Sequence, residues 1–476
     1  MKKNKTHTIV ENVEIIDIAN EGKGVAKVND LVIFVEKVVP GDIVDIEIYK
    51  QKKNLAEAKV AKYLKYSKKR ADAFCEHFGV CGGCKWQNMR YEHQLEYKHK
   101  TVVDALTRLC KIELPEIDTI KGSAKTDYYR NKMEYTFSNK RWLTVEEIQT
   151  EEKLEMNALG FHIPKKFDKI LDIQTCHLQD TRANDIRNAV RSYALDNAYG
   201  FYDIRNHSGL LRNLIIRNTS IDEWMVVVAF AENDAEKINS LMQYLHQKFS
   251  FINSLQYLVN TKKNDTIYDQ EIITFAGNAY IHEQMKDLNG ENVKFRISAK
   301  SFYQTNSEQA AELYKIAAEL CELKGNELVY DLYTGTGTIA NYVARSAKKV
   351  VGIEYVEDAI KDAKVNSEIN NITNTLFFAG DMKDLLNDEF ISEHGKPDII
   401  ITDPPRAGMH EDVCKQLLKV EAKRIVYVSC NAATQARDLG ILDEKYKVIK
   451  VQPVDMFPQT EHVENAVLLL LRGTEY

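Results

Sequence analysis

The stretch DLYTGTGTIA, residues 331–340, decides the fold because it ends an apolar run and opens a turn of small residues. Gly335 and Gly337 allow the backbone to turn tightly and to approach a ligand that a side chain would exclude. A glycine pair alone is weak evidence for a nucleotide site. Its place directly after the apolar run ELVYDLY indicates a junction between a strand and a turn, so the neighbouring segments decide its meaning.

Helical and apolar segments alternate around this stretch, from about residue 297 to the C-terminal region. A helical pattern over residues 307–323 comes first. The apolar runs that follow are ELVYDLY, KKVVGIEYV, NTLFFAGDM, PDIIITDPPR and RIVYVSC. Apolar runs separated by helices are typical of a doubly wound α/β sheet, which binds ligands at the carboxyl ends of its strands. The sequence therefore predicts a Rossmann-like α/β domain with a ligand site at that edge.

Acidic residues end the two strands that follow the glycine turn. Glu354 in GIEY could accept hydrogen bonds from both hydroxyls of a ribose, and Asp381 in AGDM could contact an adenine amine. Ala340 stands where a dinucleotide fingerprint needs its third glycine, and no nest of pyrophosphate size is evident. The pattern favours S-adenosylmethionine, a nucleoside without a diphosphate, over NAD, which remains the alternative.

The fourth strand ends in TDPPRAGMH. Two consecutive prolines fix the dihedral angle φ and remove two hydrogen-bond donors, so they form a rigid rim instead of more strand. Asp403 and Arg406 are thereby held at the sheet edge, near the expected methyl donor. Asp-Pro-Pro rims also occur in enzymes that methylate exocyclic amines, where an aromatic residue usually follows to stack on the base. Arg406 takes that place here, which indicates a different chemistry.

The stretch RIVYVSCNAAT, residues 424–434, places Cys430 where a buried strand ends and small polar residues begin. A cysteine usually packs as a small hydrophobic residue. At the rim of a sheet, a nucleophilic thiol is the second interpretation. The stretch by itself leaves both interpretations open.

Cysteines also cluster near the N-terminal third of the chain. Cys75, Cys81 and Cys84 have the spacing C-x5-C-x2-C in CEHFGVCGGCKW, and Cys176 in DIQTCHLQ is a candidate for a fourth ligand. Four thiolates bind zinc or an iron–sulfur cluster, and the spacing does not separate these two metals.

Length and composition limit the class of protein. At about 150 residues per domain, a chain of 476 residues suggests roughly three domains. The hydrophobic fraction of 44% is typical of a globular protein, and no apolar run approaches the roughly 18 residues of a membrane span. The charged N-terminal segment lacks the apolar region of a signal peptide. We therefore expect a cytoplasmic protein without membrane contact, whose clustered cysteines bind metal or do chemistry.

The N-terminal region has the pattern of a small barrel. Residues 8–65 contain short apolar or alternating runs separated by the turn sequences NEGKG, VND and VPGD, which predict an OB-type β-barrel. Although the net charge of the chain is −6, nine Lys or Arg residues oppose one acid between residues 49 and 70. Such a run forms a solvated face or contacts a polyanion, and its position beside the cysteines favours nucleic acid.

Residues 126–290 combine strand-like and helical patterns and predict an α+β region. Its strands carry Arg130, Lys132, Arg212 and Arg217. Basic side chains on strands bind RNA phosphates or lie on solvated faces, and the sequence leaves these interpretations open.

Four features coincide in this chain: DLYTGTGT, DPPR, VSCN and the C-terminal DMFPQTEHVENAVLL. Together they resemble the RNA (uracil-5-)-methyltransferase family, which makes 5-methyluridine in tRNA or 23S rRNA. The resemblance extends over most of the chain, and the N-terminal barrel is similar to the family's TRAM domain. By architecture, the chain most resembles the 23S rRNA (uracil-5-)-methyltransferases that carry an iron–sulfur cluster.

The resemblance implies an S-adenosylmethionine-dependent enzyme in which Cys430 is the nucleophile and Glu464 is the base. Glu461 competes for the second role, but the family's acid follows the histidine by two positions, as Glu464 follows His462. The resemblance also favours a 4Fe–4S cluster over zinc on Cys75, Cys81, Cys84 and Cys176. The expected cofactor contacts are Gln304, Tyr333, Gly335, Gly337, Thr338, Glu354, Asp381 and Asp403. The expected substrate contacts are Asp403, Arg406, Arg130 and Lys132.

These observations predict a protein of three parts. Residues 1–68 form a TRAM-like barrel, residues 69–92 and 126–292 form a central domain with the cluster, and residues 93–125 and 293–476 form the methyltransferase domain. The expected function is methylation of carbon 5 of a uridine in 23S rRNA by a monomer. The alternatives are a tRNA substrate and a non-catalytic RNA-binding protein that kept the fold.

Overall fold

The computed structural model describes residues 8–474, which form three sheets of six, seven and seven strands and one β-hairpin. Residues 1–7 and 475–476 of the expected domain ranges lie outside the described residues. The architecture agrees with the predicted barrel, α+β region and Rossmann-like domain. None of the helices within residues 8–474 has the length and apolar character needed to cross a membrane.

The N-terminal sheet consists of β1 (Thr8–Glu14), β2 (Asp17–Ile18), β3 (Gly24–Val28), β4 (Leu31–Val35), β5 (Ile43–Lys52) and β6 (Leu55–Lys65), with a 3₁₀ turn at Asn20–Gly22. Its strand order is β1-β5-β6-β4-β3-β2, and β1 also contacts β3, so the sheet curls on itself. Alternate residues such as Ile33 and Val44 fill its core. The buried Asp42 accepts hydrogen bonds from the Arg70 guanidinium at 2.7 and 2.8 Å, which ties the barrel to the segment before the cysteines.

Helix α1 (Tyr91–Ala105) follows the cysteine loop, residues 75–89, and continues into a π-helical turn at Leu106–Cys110. Val102 and Leu106 are buried in one apolar core with Tyr330 of the C-terminal sheet. The helix therefore packs on the C-terminal sheet, although the whole central region lies between the two in the chain.

The central sheet carries two long helices on one face. Its elements are β7 (Lys132–Ser138), α2 (Val145–Ile148), β8 (Ala158–Ile163), β9 (Lys166–Asp172), α3 (Thr181–Asp196), β10 (Leu211–Asn218), β11 (Trp224–Phe230), α4 (Ala235–Lys248), β12 (Ile252–Val259) and β13 (Ile273–Gly277). The strand order is β13-β12-β11-β10-β7-β8-β9. Val226 of β11 packs in one core with Leu241 of α4, whereas Val227 packs in another core with Phe295. Strand β11 is thus buried on both faces, which matches its continuous apolar sequence.

The C-terminal part begins with a hairpin and continues as the α/β domain. Its elements are β14 (Tyr280–Lys286), β15 (Asn292–Ser298), α5 (Ser307–Cys321), β16 (Leu328–Leu332), α6 (Thr338–Ala344), β17 (Lys349–Glu354), α7 (Glu357–Ile369), β18 (Thr375–Ala379), α8 (Met382–Leu385), α9 (Asp388–His394), β19 (Ile399–Thr402), α10 (Glu411–Val420), β20 (Arg424–Ser429), α11 (Ala432–Leu442), β21 (Tyr446–Val454) and β22 (Glu464–Leu471). The helix predicted over residues 307–323 and the five predicted parallel strands are present.

The last two strands change the direction of this sheet. The strand order is β18-β17-β16-β19-β20-β22-β21. The first five strands in this order are parallel to one another, and β22 is antiparallel to both of its neighbours. Ser429 at the end of β20 pairs with Asn465 near the start of β22. The start of β22 therefore lies at the edge where the parallel strands end.

Gly160→Ala should destabilise the central sheet. A Cβ atom at Gly160 would lie 2.0 Å from the Leu171 carbonyl oxygen, and backbone atoms cannot move aside as a flexible side chain can. We expect the free energy of unfolding to fall by about 1–3 kcal/mol, measured by urea denaturation. Gly440→Ala in α11 is the control, because its Cβ would make an ordinary contact of 3.5 Å and alanine favours a helix. Equal stability of the two variants would contradict this account.

Candidate active site

The glycine turn after β16 has a backbone that few residues adopt. Tyr333, Gly335 and Gly337 have φ values of 61°, 55° and 72°, all in the left-handed region, which is strained for tyrosine and free for glycine. A Cβ atom at Gly337 would lie 2.9 Å from the Ala363 Cβ, so this position also needs glycine for space. A Cβ atom at Gly335 would meet no atom of the described part of the chain within 4 Å. The backbone at Gly335 therefore borders open space, as close approach to a ligand requires.

Asp331 holds this turn from inside the sheet. Its Oδ2 accepts hydrogen bonds from the Thr334 hydroxyl at 2.5 Å and from the Ala340 amide at 3.0 Å. Burial raises the pKa of Asp331 to about 7, and the charge of Glu354 adds to the effect. Asp331 is not among the expected site residues, because its only signal in the sequence is that of an acid inside the apolar run ELVYDLY.

Two backbone amides orient the Glu354 carboxylate. Its two carboxylate oxygens accept hydrogen bonds from the Gly335 amide at 3.1 Å and the Val356 amide at 3.0 Å. Asp381, one strand further, caps α8 by accepting from the Lys383 amide at 3.1 Å, and the Lys383 ammonium lies 3.3 Å away. Both acids thus lie at the predicted edge. Asp381, however, already accepts a hydrogen bond from the Lys383 amide and lies near the Lys383 ammonium.

The other expected cofactor contacts come from two segments. Thr338 is the first residue of α6, and its hydroxyl lies 3.3 Å from that of Thr336, inside the glycine turn. The Tyr333 side chain packs against the apolar core below the turn. Gln304 lies between β15 and α5, where its main-chain carbonyl oxygen accepts a hydrogen bond from the Asn131 side-chain amide at 2.9 Å.

Cys430 lies in the turn between β20 and α11, as the sequence predicts. The Asn431 side chain caps α11 at the Ala433 amide, at 3.1 Å, and donates to the Arg406 carbonyl at 3.1 Å. The Thr434 hydroxyl donates to the same carbonyl at 3.2 Å. These bonds join the cysteine turn to the Asp-Pro-Pro-Arg rim that follows β19.

Asp403 and Glu464 are close enough to Cys430 to raise its pKa, and Asp403 also raises the pKa of Glu464. Burial raises the pKa of Glu464 to about 8, with repulsion from Asp403 added and attraction to Arg406 opposed to it. Burial raises the pKa of Asp403 to about 7, and Asp331 adds to this. Burial, then Glu464 and Asp403, raise the pKa of the Cys430 thiol to about 11. Arg406 does lower the thiol pKa, but the other effects outweigh it, so the thiol of the free protein is protonated at neutral pH.

The two C-terminal glutamates have opposite environments. Burial raises the pKa of Glu461, but the hydrogen bond and charge of Lys85, a backbone hydrogen bond and His462 together outweigh burial and leave that pKa below its ordinary value. For Glu464, burial outweighs the attraction of Arg406 and raises the pKa, so its carboxylate form is the stronger base of the two. His462 lies between them in the chain, and both of its ring nitrogens are 3.4 Å from the Arg406 guanidinium.

Tyr314 of α5 belongs to this site, although it is not among the site residues expected from the sequence. Burial raises the pKa of its hydroxyl, and Asp403, Asp331 and Glu464 raise it further. The helical periodicity of α5 marks Tyr314 only as a core residue, because the sequence does not show which strands the helix covers.

The four predicted cysteine ligands lie within electrostatic reach of one another. Burial raises the pKa of Cys81 to about 11 and that of Cys84 to about 12, and the other thiols of the group, Cys75 and Cys176 among them, contribute to both. Across residues 8–474, no group of three or more His, Cys, Asp or Glu side chains is arranged to hold a metal ion. The cluster therefore remains a prediction.

A buried cation stands beside these thiols. Arg187 is fully buried, and its Nε and Nη1 have no hydrogen-bond partner among the described residues. Burial lowers its pKa, while Tyr135 and Cys176 raise it. The Tyr135 hydroxyl likewise has no hydrogen-bond partner within residues 8–474. Buried donors without partners cost about 1–3 kcal/mol each, so these donors fit an anionic group held by the thiols.

The basic residues on the central strands separate into two classes. Arg212 donates to carbonyl groups of residues 260–264, and Arg217 donates to a buried carbonyl. Both are buried, so neither lies on a solvated face or is free to contact phosphate: loop carbonyls accept from both terminal nitrogens of Arg212 and from one nitrogen of Arg217. Arg130 donates to the Lys132 carbonyl at 3.0 Å, and burial, with Arg217, lowers the pKa of Lys132 to about 8. These two residues remain predicted RNA contacts.

Comparison with known proteins gives matches in both halves of the chain. A tRNA (uracil-5-)-methyltransferase family model matches residues 266–472, and a TRAM domain model matches residues 6–61. A Bacteroides thetaiotaomicron protein named as an uncharacterized RNA methyltransferase is 59% identical over 459 residues, which cover 96% of this chain and 100% of that protein. One from Chlorobaculum tepidum is 40% identical and covers 90% of this chain and 89% of its own.

A solved structure extends the similarity to the fold. The tRNA (uracil-54, C5)-methyltransferase of Pyrococcus abyssi, in complex with S-adenosyl-L-homocysteine, matches with a TM-score of 0.74 and 27% identity, over 96% of this chain and 100% of that one. These findings confirm the predicted family and fold class, and they argue against the non-catalytic alternative. The chain belongs to the RNA (uracil-5-)-methyltransferase family and is an S-adenosylmethionine-dependent RNA methyltransferase with an N-terminal TRAM domain.

Proposed function

We propose that this enzyme methylates carbon 5 of a uridine in structured RNA by way of a bond between the Cys430 sulfur and carbon 6 of the ring. The grouping of Cys430, Asp403 and Glu464 carries the proposal, because these residues follow or begin three different strands and share one electrostatic environment. Packing alone would not require a thiol, two buried acids and Arg406 at one rim.

The chemistry follows from the low nucleophilicity of carbon 5 in uracil. The Cys430 thiolate adds to carbon 6, and the electron pair of the C5–C6 double bond moves into the ring as an enolate. S-adenosylmethionine, when bound, supplies the methyl group to carbon 5 and leaves as S-adenosylhomocysteine. Glu464 then takes the proton from carbon 5, the double bond forms again, and Cys430 leaves as a thiolate. The RNA gains one methyl group and loses one proton.

The ionisation of the site suits these roles. Because its pKa is raised to about 8, Glu464 is largely protonated at neutral pH in the free protein, and its carboxylate form is a stronger base than an ordinary glutamate, as removal of the carbon proton requires. Arg406 is the cation that favours the Cys430 thiolate, and with Asp403 it is proposed to bind the enolate oxygen and a ring nitrogen. The target base must leave its stack in the RNA to enter this pocket.

The glycine turn and its acids fit S-adenosylmethionine. Open space at Gly335 and the oriented carboxylate of Glu354 support a ribose at this rim. The proposed cofactor contacts are Gln304, Tyr333, Gly335, Gly337, Thr338, Glu354, Asp381 and Asp403.

The proposed substrate is 23S rRNA, and tRNA is the second candidate. The four grouped cysteines support 23S rRNA, because the chain resembles the iron–sulfur-containing enzymes of that class. Similarity to the Pyrococcus abyssi tRNA enzyme supports tRNA. With either substrate, we expect the enzyme to act in the cytoplasm as a monomer, with Arg130 and Lys132 contacting RNA.

The TRAM sheet offers a surface for RNA outside the active site. Tyr66 is 62% exposed beside the basic run, and its ring centroid lies 5.1 Å from that of Tyr63. The Arg70 guanidinium stands over both rings, at 5.0 and 5.1 Å. Exposed aromatic rings within a basic surface stack on bases while the cations attract phosphates, so this surface is a proposed RNA contact.

We also propose a 4Fe–4S cluster with a structural role on Cys75, Cys81, Cys84 and Cys176. The mutual proximity of the thiols and the unpaired donors of Arg187 support an anionic group there.

The proposed division of the chain is a barrel at 1–68, a central domain at 69–92 and 126–292, and a methyltransferase domain at 93–125 and 293–476.

Cys430→Ala should abolish methylation, because the step that activates carbon 5 is lost. Glu464→Gln should still form the bond to RNA and then retain it, since no base removes the carbon 5 proton. Denaturing gels with labelled RNA measure the retained adduct. A fully active Cys430→Ala enzyme would refute the mechanism.

Mass-spectrometric mapping of 5-methyluridine identifies the substrate of the same variants. We expect one uridine of 23S rRNA to lose its methyl group in cells that carry only Cys430→Ala, with tRNA unchanged. Loss from tRNA alone would establish the second candidate, and loss from neither RNA would contradict the proposed function.

Arg406→Gln should move the pH dependence of adduct formation to higher pH. Arg406 lowers the pKa of Cys430, so its removal raises that pKa and decreases the thiolate fraction at any pH below it. Each unit of pKa change lowers the rate in this range by about tenfold. Arg406→Lys keeps the charge and should keep the profile. Single-turnover rates at saturating RNA provide the measurement, and identical profiles for both variants would be incompatible with this role.

Protein purified without oxygen should contain about four iron and four sulfide ions per chain if the cluster is present. Cys176→Ser should lose most of both, whereas Cys110→Ala, which changes a buried cysteine outside the group, should keep them. Metal and sulfide analysis provides the measurement. Zinc without iron in the wild-type protein would refute the assignment.

A further inference from the structure

The segment that leads to Glu464 is a loop with an unusual backbone. This C-terminal loop, residues 455–463, joins β21 to β22 and contains His462. Gln459 in its middle has a φ of 69°, a left-handed conformation that costs a residue other than glycine about 1 kcal/mol or more. The loop therefore keeps this shape only because surrounding groups impose it.

Gln94 of α1 is the centre of the contacts that impose this shape. It is 1% exposed, its Oε1 accepts from the Gln459 amide at 2.9 Å, and its Nε2 lies 3.0 Å from the Gln459 side-chain oxygen. The same Nε2 lies 3.0 Å from the Trp86 carbonyl and 2.8 Å from the Met89 carbonyl. One side chain thus joins helix α1, the cysteine loop and the C-terminal loop.

The cysteine loop contacts the same residue directly. The amides of Lys85 and Trp86 donate to the Gln459 carbonyl at 2.9 and 3.1 Å, and Lys85 also pairs with Glu461. Lys85 follows Cys84 in the chain. A change in the conformation of the cysteine loop would therefore pull on the backbone of the C-terminal loop.

A buried ion pair holds the beginning of the C-terminal loop. Lys98 and Asp455 are both fully buried, with 2.5 Å between Nζ and Oδ1, and Lys98 also donates to the Phe457 carbonyl at 3.0 Å. The Tyr91 hydroxyl donates to the other oxygen of Asp455 at 2.8 Å. Removing both charges from water offsets much of their attraction, so such a pair specifies geometry more than it adds stability.

We propose that Gln94 is a positioning residue for proton removal from carbon 5, because it clamps the C-terminal loop so that Glu464 faces Cys430. Lys98 and the backbone of the cysteine loop complete this clamp. The proposal rests on the proposed function in assigning proton removal to Glu464. It adds that α1 and the cysteine loop control the position of the base, although neither belongs to the sheet that carries it.

Gln94→Ala should separate the two halves of the reaction. Cys430 is held by β20 and α11, so the adduct should form at nearly the wild-type rate. Its resolution should slow by about a hundredfold, the effect that a displacement of about 1 Å can have on a reacting group. Binding of S-adenosylhomocysteine should not change. Glu92→Ala, on the exposed face of the same helix, is the matched control and should behave as wild type.

Hydrogen exchange provides a readout that does not depend on turnover. The Gln459 amide donates to Gln94, so its exchange should become faster in Gln94→Ala and stay unchanged in Glu92→Ala. Tyr91→Phe removes a single hydroxyl from the same clamp and should give a smaller change of the same kind, even if Gln94→Ala does not fold.

Three outcomes would overturn the clamp: equal slowing of adduct formation and resolution, a loss confined to RNA affinity, or unchanged exchange at Gln459. Glu464→Gln, assayed in parallel, separates this result from the proposed function. If Glu464→Gln does not retain an adduct, the assignment of Glu464 as the base fails, and the exchange rate at Gln459 still decides whether the clamp exists.

Discussion

The antiparallel pairing of β22 with β20 is the constraint on which the rest of the site depends. Parallel strands place all their carboxyl ends at one edge of a sheet, and a residue that begins another parallel strand would lie at the opposite edge. Strand β22 runs the other way, so its first residue, Glu464, reaches the carboxyl-end edge. Because Ser429 pairs with Asn465, the register continues to place Cys430 opposite Glu464.

This placement makes the site electrostatically unfavourable in the free protein. Asp331, Asp403 and Glu464 are buried together at one edge, and each has a pKa raised to about 7 or 8. Arg406 opposes the shift at Glu464 and at Cys430, the two groups assigned to the chemistry. Burial thus keeps both the Cys430 thiol and the Glu464 carboxyl group largely protonated at neutral pH in the free protein.

Connections between distant parts of the chain hold this edge in place. Helix α1 lies before the central region in sequence, yet Gln94 and Lys98 contact the loop before β22. The cysteine loop reaches the same loop through backbone hydrogen bonds to Gln459. Helix α1 and the cysteine loop are therefore connected by contacts to the loop before Glu464, although the sheet that holds Glu464 is complete without them.

The sequence by itself determined the parallel strands, the glycine turn and the strand end at Cys430, because continuous apolar runs between helices and the glycines at positions 335 and 337 are local signals. Only the tertiary structure decided that Tyr314 and Asp331 belong to the site, that Arg212 is an internal donor, and that Gln94 contacts the loop before Glu464. Burial and pairing between segments far apart in the chain depend on which surfaces meet, and no local pattern records that.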